Sequence, residues 1–120
     1  MAGPALSETS GPASTGGAPQ LSVCPRYHEA IELIGKRWSG AIVVSLMAGP
    51  LRFSQITHAV PHISDRLLSD RLKELEHHGI VLRRVLWEAP VRVEYELTKK
   101  GRGLEPALQS VRNWARDWLG

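Results

Sequence analysis

The sequence predicts a mainly α-helical (α+β) fold in one small domain, and three observations carry that prediction. Apolar residues recur at helical spacing through the middle of the chain. Two short stretches rich in β-branched residues follow, separated by a turn that contains proline. The last stretch returns to helical spacing, and a length of 120 residues suits one domain rather than two.

Residues 1–22 differ in composition from the rest and are predicted to be a disordered tail. They are almost all Ala, Gly, Pro, Ser and Thr, and Glu8 is the only charged residue among them. Such a segment buries too little apolar surface to offset the entropy that ordering removes. We therefore assign the domain to residues 23–120.

Charge and cysteine content narrow the classes of function. The chain carries 15 Lys+Arg against 12 Asp+Glu, and this basic balance permits a nucleic-acid partner. Its single cysteine excludes an internal disulfide framework and favours a reducing compartment. No apolar run approaches the roughly 20 residues of a membrane span, and no secretory signal pattern is visible. We expect a cytoplasmic protein without a membrane partner.

Two helices are predicted from apolar stripes and from the residues that end them. The first stripe begins at Tyr27, and Gly35 closes the segment. The second begins at Ile42 and ends at Gly49-Pro50.

Two further helices are predicted with a tight turn between them. The third, Phe53–Val60, is short and ends at a proline. The fourth, Ser64–His78, has Ser64 as its N-cap and Gly79 as a left-handed C-cap. This pair has the form of a helix-turn-helix, whose second helix reads the major groove of DNA.

A β-hairpin and a last helix complete the pattern. Residues 80–87 and 91–97 are predicted strands, joined by the turn Glu88-Ala89-Pro90. Thr98 is predicted to cap one last helix with an apolar face. A helix-turn-helix followed by a two-stranded wing is a winged helix-turn-helix, and the extra helices at both ends remain available for dimerisation.

Short motifs occur at a characteristic spacing between residues 24 and 101. They are Cys24-Pro25, Gly35-Lys36-Arg37-Trp38-Ser39, Gly49-Pro50-Leu51-Arg52-Phe53, Ile63-Ser64, Leu68-Ser69-Asp70-Arg71-Leu72-Lys73-Glu74-Leu75-Glu76, Gly79-Ile80-Val81, Pro90-Val91-Arg92-Val93-Glu94-Tyr95-Glu96-Leu97-Thr98 and Gly101. Together they resemble the HxlR-type branch of the MarR-like winged helix-turn-helix transcription regulators. The resemblance covers about residues 23–120. It implies a homodimeric, DNA-binding regulator of bacterial or archaeal type, joined through its first and last helices.

The same dimer is expected on physical grounds, because two recognition helices can read half-sites about one helical turn apart. The predicted interface residues are Tyr27, Ile31, Leu108, Val111, Trp114 and Trp118. The alternative is that these side chains complete the core of one chain, and for Leu108 both interpretations stand equally. Aromatic side chains are enriched at interfaces, which favours the dimer for the two tryptophans.

The face of the fourth helix opposite its leucines is predicted to contact DNA. Its candidate residues are Ser64, Asp65, Arg66, Ser69, Asp70 and Lys73. Arg66 is the best candidate for a bidentate contact to guanine. Asp70 either accepts from a cytosine amine or holds Arg66 through an i, i+4 pair. The alternative for the whole face is an ordinary solvated helix surface.

Four basic residues elsewhere are further candidates for contact with double-stranded DNA at a pseudo-palindromic operator. Arg92 follows the wing turn and can enter the minor groove or bind a phosphate. Arg52 is open to a phosphate contact or a structural ion pair. Lys36 and Arg37 are expected to open the second helix, where backbone N–H groups favour phosphate.

Cys24 is a candidate redox sensor. It is predicted to cap the first helix beside Pro25 and the positive Arg26, an environment that favours the reactive thiolate. The resemblance implies that a cysteine here senses electrophiles, quinones or oxidants. The alternative is a chemically quiet cysteine at the dimer joint. Without a second cysteine, its oxidation products are a disulfide between subunits, a mixed disulfide or an adduct.

An enzyme is not expected. The chain has no glycine-rich phosphate loop, no nucleophile elbow and no carboxylate pair at catalytic spacing. Pro61 breaks the helix that would place His58 and His62 on one face, so no metal site is expected. No cofactor is expected either. The function predicted is a dimeric transcriptional regulator that represses. A winged-helix module for protein interaction and a regulator that responds to a small ligand in the dimer interface remain as alternatives.

Overall fold

A computed structural model describes residues 22–120 of the chain. The predicted tail, residues 1–22, lies outside the described residues except for its last residue. The helices are α1 Pro25–Ile34, α2 Ser39–Ser45, α3 Phe53–Ala59, α4 Asp65–His77, α5 Lys99–Arg102 and α6 Glu105–Trp118. The strands are β1 Leu51–Arg52, β2 Val81–Leu86 and β3 Arg92–Leu97.

Helices α3 and α4 form the predicted helix-turn-helix. The Ser64 hydroxyl caps α4 by accepting the Leu67 backbone N–H at 3.1 Å. Gly79 follows α4 with φ of 73°, the left-handed conformation that the sequence predicts. Three of the four leucines of α4, Leu68, Leu72 and Leu75, are fully buried or nearly so, and Leu67 is half-buried.

The wing belongs to a larger sheet than the sequence predicts. Strands β2 and β3 pair antiparallel, with Val81 opposite Leu97 and Leu86 opposite Arg92. The two-residue strand β1 adds to the other side of β3, so the order is β1-β3-β2. Two residues are too few to show a periodic pattern, and β1 exists only through its pairing with β3.

The prediction of one last helix is wrong, because Thr98 caps a separate single turn. The Thr98 hydroxyl accepts the Gly101 backbone N–H at 3.0 Å and begins α5. Helix α6 then starts at Glu105 with a proline in its first turn. Pro106 has no N–H to donate to the carbonyl of Arg102, so one helix cannot continue through this point.

The core gathers apolar side chains from every layer of the domain. Its buried members are Ile42, Val43, Leu46, Ile56, Val60, Leu68, Leu72, Leu75, Ile80, Val81, Leu97 and Leu108. Helix α1 contributes no buried residue. Within residues 22–120, no helix is both long and apolar enough to cross a bilayer.

Candidate nucleic-acid interface

The outer face of α4 carries the predicted DNA-contacting side chains. Asp65, Arg66, Asp70 and Lys73 are exposed, whereas Ser69 is half-buried. Ser64 is engaged as the helix cap. The buried leucines hold this helix on the core, so its polar face is presented on a supported element.

Arg66 and Asp70 do not form the i, i+4 ion pair that was one alternative for them. Among residues 22–120, neither side chain has an oppositely charged group within 4.0 Å. The guanidinium of Arg66 therefore keeps its donors available, and Asp70 keeps its acceptors. Contacts to base edges and an ordinary solvated helix surface remain the two interpretations for both residues.

Arg92 opens strand β3 beside the turn of the wing. One guanidinium nitrogen lies 3.6 Å from a carboxylate oxygen of Glu88, and both side chains are exposed. Exposed pairs of this kind contribute little to stability, about 0–1 kcal/mol. A phosphate can therefore compete with Glu88 for Arg92.

Arg52 is the N-cap residue of α3, and the side chain of Gln55 accepts its backbone N–H. The distance from the Arg52 nitrogen to Oε1 of Gln55 is 2.8 Å. The Arg52 side chain is exposed and makes no ion pair within residues 22–120. Of the two roles considered for Arg52, the structural ion pair is not formed.

Lys36 and Arg37 do not lie at the start of α2 as predicted, because this helix begins only at Ser39. Trp38 has φ of 78°, and this left-handed residue keeps the preceding residues in a turn. The ammonium of Lys36 donates to Oε2 of Glu74 at 2.6 Å. The guanidinium of Arg37 lies 4.9 Å from the ring centroid of Trp38. Both side chains thus already have partners in the protein.

An ionic cluster of Lys36, Arg71 and Glu74 was missed by the sequence analysis. The Arg71 guanidinium donates to the Arg37 carbonyl at 3.0 Å and to Oε1 of Glu74 at 3.2 Å. The hydrogen bond from Lys36 is the main cause that lowers the pKa of Glu74, and the charges of Lys36 and Arg71 act in the same direction against partial burial. The i, i+3 spacing of Arg71 and Glu74 was the only signal in the sequence.

The outer faces of α1 and α6 expose large apolar side chains. Trp114 is 56% exposed and Trp118 is 75% exposed, and Tyr27, Ile31 and Val111 are exposed as well. Leu108 differs from them, because it is only 8% exposed and belongs to the core of the single chain. Its assignment to an interface between chains is therefore corrected.

Cys24 lies directly before α1 as its N-cap, with Pro25 in the first turn. Its side chain makes no capping hydrogen bond and is exposed to solvent. The backbone carbonyl of Cys24 accepts the His28 N–H at 2.9 Å. The thiol is thus accessible to reagents at the end of a helix that also carries exposed apolar residues.

Potential metal ligands are not clustered in the described residues. No group of three or more His, Cys, Asp or Glu side chains is placed to hold an ion there. His77 and His78 contact each other edge to face, with ring centroids 5.5 Å apart.

Comparison with known proteins decides the family. Residues 33–120 match the family model for the HxlR-like helix-turn-helix. The chain belongs to this family. It is 48% identical over 100 residues to the uncharacterized HTH-type transcriptional regulator YvaP of Bacillus subtilis, covering 83% of this chain and 93% of YvaP. It is 49% identical over 94 residues to the HTH-type transcriptional regulator YodB of the same organism, covering 78% of this chain and 84% of YodB.

Solved structures of HxlR-type regulators have the same fold. The reduced form of YodB superposes with a TM-score of 0.73 at 47% identity, over 81% of this chain and 95% of that chain. The redox regulator HypR in its oxidized form gives a TM-score of 0.74 at 36% identity, over 78% of this chain and 96% of that chain. YodB has also been solved diamide-treated and quinone-bound. The present protein is therefore a winged helix-turn-helix transcriptional regulator of the HxlR type.

Proposed function

We propose that this HxlR-type regulator is a dimeric repressor that binds a pseudo-palindromic operator and is released when Cys24 is modified. The observation that carries the proposal is the outer face of α4. Arg66 lies there near the helix N-terminus, exposed and without an ion-pair partner among the described residues. The first half of a recognition helix is the part that meets base edges.

Different basic residues take different roles on the DNA. Arg66 reads guanine through two parallel hydrogen bonds, which is worth about 1–3 kcal/mol of discrimination against other bases. Arg52 before α3 binds a phosphate and so adds affinity without base preference. Arg92 on the wing binds a phosphate or enters the minor groove, where it responds to groove width rather than to base edges. Lys73 adds a positive charge on the outer face of α4.

The dimer forms through the apolar faces of α1 and α6. Trp114 and Trp118 are rigid aromatic side chains of the type that anchors protein interfaces. Large contiguous apolar patches are uncommon on proteins that remain monomeric. Two subunits joined in this way present two copies of α4 to successive half-sites.

Cys24 couples the chemical environment to DNA binding. With diamide, two Cys24 thiols join in a disulfide between subunits, and their two electrons and two protons pass to the diamide. With a quinone, the sulfur forms a bond to a ring carbon, the thiol proton passes to one ring oxygen and the displaced ring hydrogen to the other, so the ring becomes a hydroquinone. Either product changes the start of α1, and a displaced α1 changes the distance between the two recognition helices. The diamide-treated and quinone-bound forms of YodB support this proposal by similarity.

A mobility shift on the DNA upstream of the protein's own gene, combined with a footprint, tests the DNA-binding part. We expect two protected half-sites related by two-fold symmetry. If the dimer neutralises about 8 phosphates, log K falls with log salt at a slope of about −7. A single protected site, or binding that does not change between low and physiological salt, would contradict the proposal.

A further inference from the structure

The ionic cluster of Lys36, Arg71 and Glu74 joins two parts of the fold that the chain places far apart. Lys36 and Arg37 lie in the turn that follows α1, whereas Arg71 and Glu74 lie on the recognition helix α4. The three hydrogen bonds of the cluster measure 2.6, 3.0 and 3.2 Å. Two of them cross from the α1–α2 turn to α4, over 34 and 38 residues of sequence.

The contacts are directional and partly shielded. The Arg71 side chain is only 15% exposed, and its guanidinium donates to a backbone carbonyl and to Glu74 at once. Hydrogen bonds restrict distance and angle, whereas apolar packing is non-directional. The cluster therefore restricts the angle between its two elements in a way that apolar contact does not.

Apolar contact between α1 and the core is limited to two half-buried residues, Leu33 and Ile34. No residue of α1 is buried. A cleft of about 530 Å³ separates α1 from the C-terminal part of α4, and Leu33, Lys36, Glu74 and His78 are among its lining residues. The Lys36–Glu74 ion pair stands at the wall of this cleft. Because a cleft lies between the helices here, the hydrogen bonds of the cluster supply the directional contacts between the α1–α2 turn and α4.

We infer that Arg71 and Glu74 are positioning residues that set the angle of recognition helix α4 relative to α1, and thereby determine which half-site spacing the dimer accepts. The inference rests on the proposed function, in which α1 helps to join the two subunits. The distance between two recognition helices must match the distance between half-sites on the DNA. Without the cluster, each α4 can rotate relative to α1. A single subunit then still binds its half-site, but the dimer no longer prefers one distance between half-sites.

The test compares three classes of DNA with the full-length protein. Fluorescence anisotropy measures affinity for the footprinted operator, for a single half-site, and for operators whose spacer is lengthened or shortened by one or two base pairs. Glu74→Gln removes the charge of the central carboxylate. Arg71→Lys keeps the charge but loses the planar fork that donates in two directions. Glu105→Gln is the matched control. It removes the 3.0 Å ion pair between Glu105 and Arg102, which joins residues three apart in the sequence and connects no distant elements.

We expect the ratio of operator affinity to half-site affinity to fall about fivefold or more in both test variants, because avidity depends on simultaneous engagement. Their preference among spacers should flatten, and the control should retain the wild-type ratio and preference. A ratio and a spacer preference that remain at wild-type values in both variants, even with lowered melting temperatures, would overturn the inference and leave the cluster only a stabilising role. A wild-type protein that itself shows no preference for two half-sites would instead overturn the proposed dimeric function.

Discussion

Gly101 lies directly against the backbone of Ile80, where α5 meets the start of the wing. A Cβ atom on Gly101 would overlap the Ile80 carbonyl oxygen and would lie 3.2 Å from Cγ2 of Ile80. The same carbonyl accepts the backbone N–H of Thr98 at 3.0 Å. Because Thr98 also caps α5, this contact connects the end of β3, the short helix and the sheet.

Replacing Gly101 with alanine should destabilise the fold, because the clashing atom is backbone and cannot rotate away. Overpacking of this kind costs about 1–3 kcal/mol, and we expect a fall in melting temperature of about 4–20 °C for a domain of this size. Gly40→Ala is the control, since a Cβ there would lie 3.5 Å from its nearest neighbour within a helix. That variant should melt at or above the wild-type temperature. Equal melting of the two variants would show that the close approach at Gly101 is not restrictive.

The ionic cluster predicts a pH-dependent contribution to stability. Its hydrogen bond from Lys36 and the neighbouring positive charges lower the pKa of Glu74 below the ordinary value of 4.5. A lowered carboxyl pKa stabilises the folded state at pH values above 4.5, and this stabilisation is lost as the pH falls through the folded-state pKa.

Urea unfolding of wild type and Glu74→Gln measures this effect. At pH 7 the wild type should be more stable by about 0.2–1 kcal/mol, the range for exposed pairs. The difference should vanish well below pH 4.5. A difference that stays constant over this pH range would show that the Glu74 charge is not its source.

Arg66 and Arg92 should differ in how their loss affects DNA binding. Arg66→Ala should relax base preference at one position of each half-site, at a cost of about 1–3 kcal/mol on the preferred base. Arg66→Lys keeps the charge but loses the bidentate geometry, so it should lose the same preference with a smaller loss of affinity. Arg92→Ala should weaken binding to all sequences more evenly, or selectively to those with a narrow minor groove. Binding to a randomised half-site library, read by sequencing, distinguishes the two effects. If Arg66→Ala lowered affinity equally for every sequence, Arg66 would not be the base reader.

Trp118 should be an anchor of the dimer. A charge placed in a buried interface is poorly solvated. Loss of an aromatic anchor makes the free energy of dimerisation less favourable by about 2 kcal/mol or more, which raises the dissociation constant of the dimer by about 30-fold. We expect Trp118→Glu to sediment as a monomer at micromolar concentration while keeping its helical circular dichroism. Trp87→Glu is the control, because Trp87 is 81% exposed on the wing rather than on α1 or α6. Equal sedimentation of Trp118→Glu and the wild type would exclude this face as the interface.

Cys24 should be the site at which oxidants act. Diamide or a quinone should release the wild type from its operator, and a reductant should reverse the effect of diamide. Cys24→Ser should bind the operator and ignore both reagents. Mass spectrometry measures the extent of modification in the same samples. If fully modified wild type remains bound, Cys24 is structural and does not control DNA binding.

The helix-turn-helix could be predicted closely from the sequence, because its determinants are local. The Ser64 cap, the leucine spacing and the left-handed Gly79 all act within a few residues of the element they define. The division of the last helix into α5 and α6 was also predictable from local sequence, because Pro106 prevents one continuous helix. It was missed because the apolar residues on both sides of Pro106 keep helical spacing. Strand β1 could not be predicted, because its two residues become a strand only beside β3.

By itself, the sequence determined the winged helix-turn-helix, the face of α4 that bears Arg66, and the position of Cys24 before α1. Each of these follows from spacing, capping or turn residues that act over one or two helical turns. Only the tertiary structure decided that Leu108 belongs to the core and that Lys36 is held by Glu74. Those contacts join residues distant in the chain, and such partners are selected by the packing of whole elements rather than by any local preference.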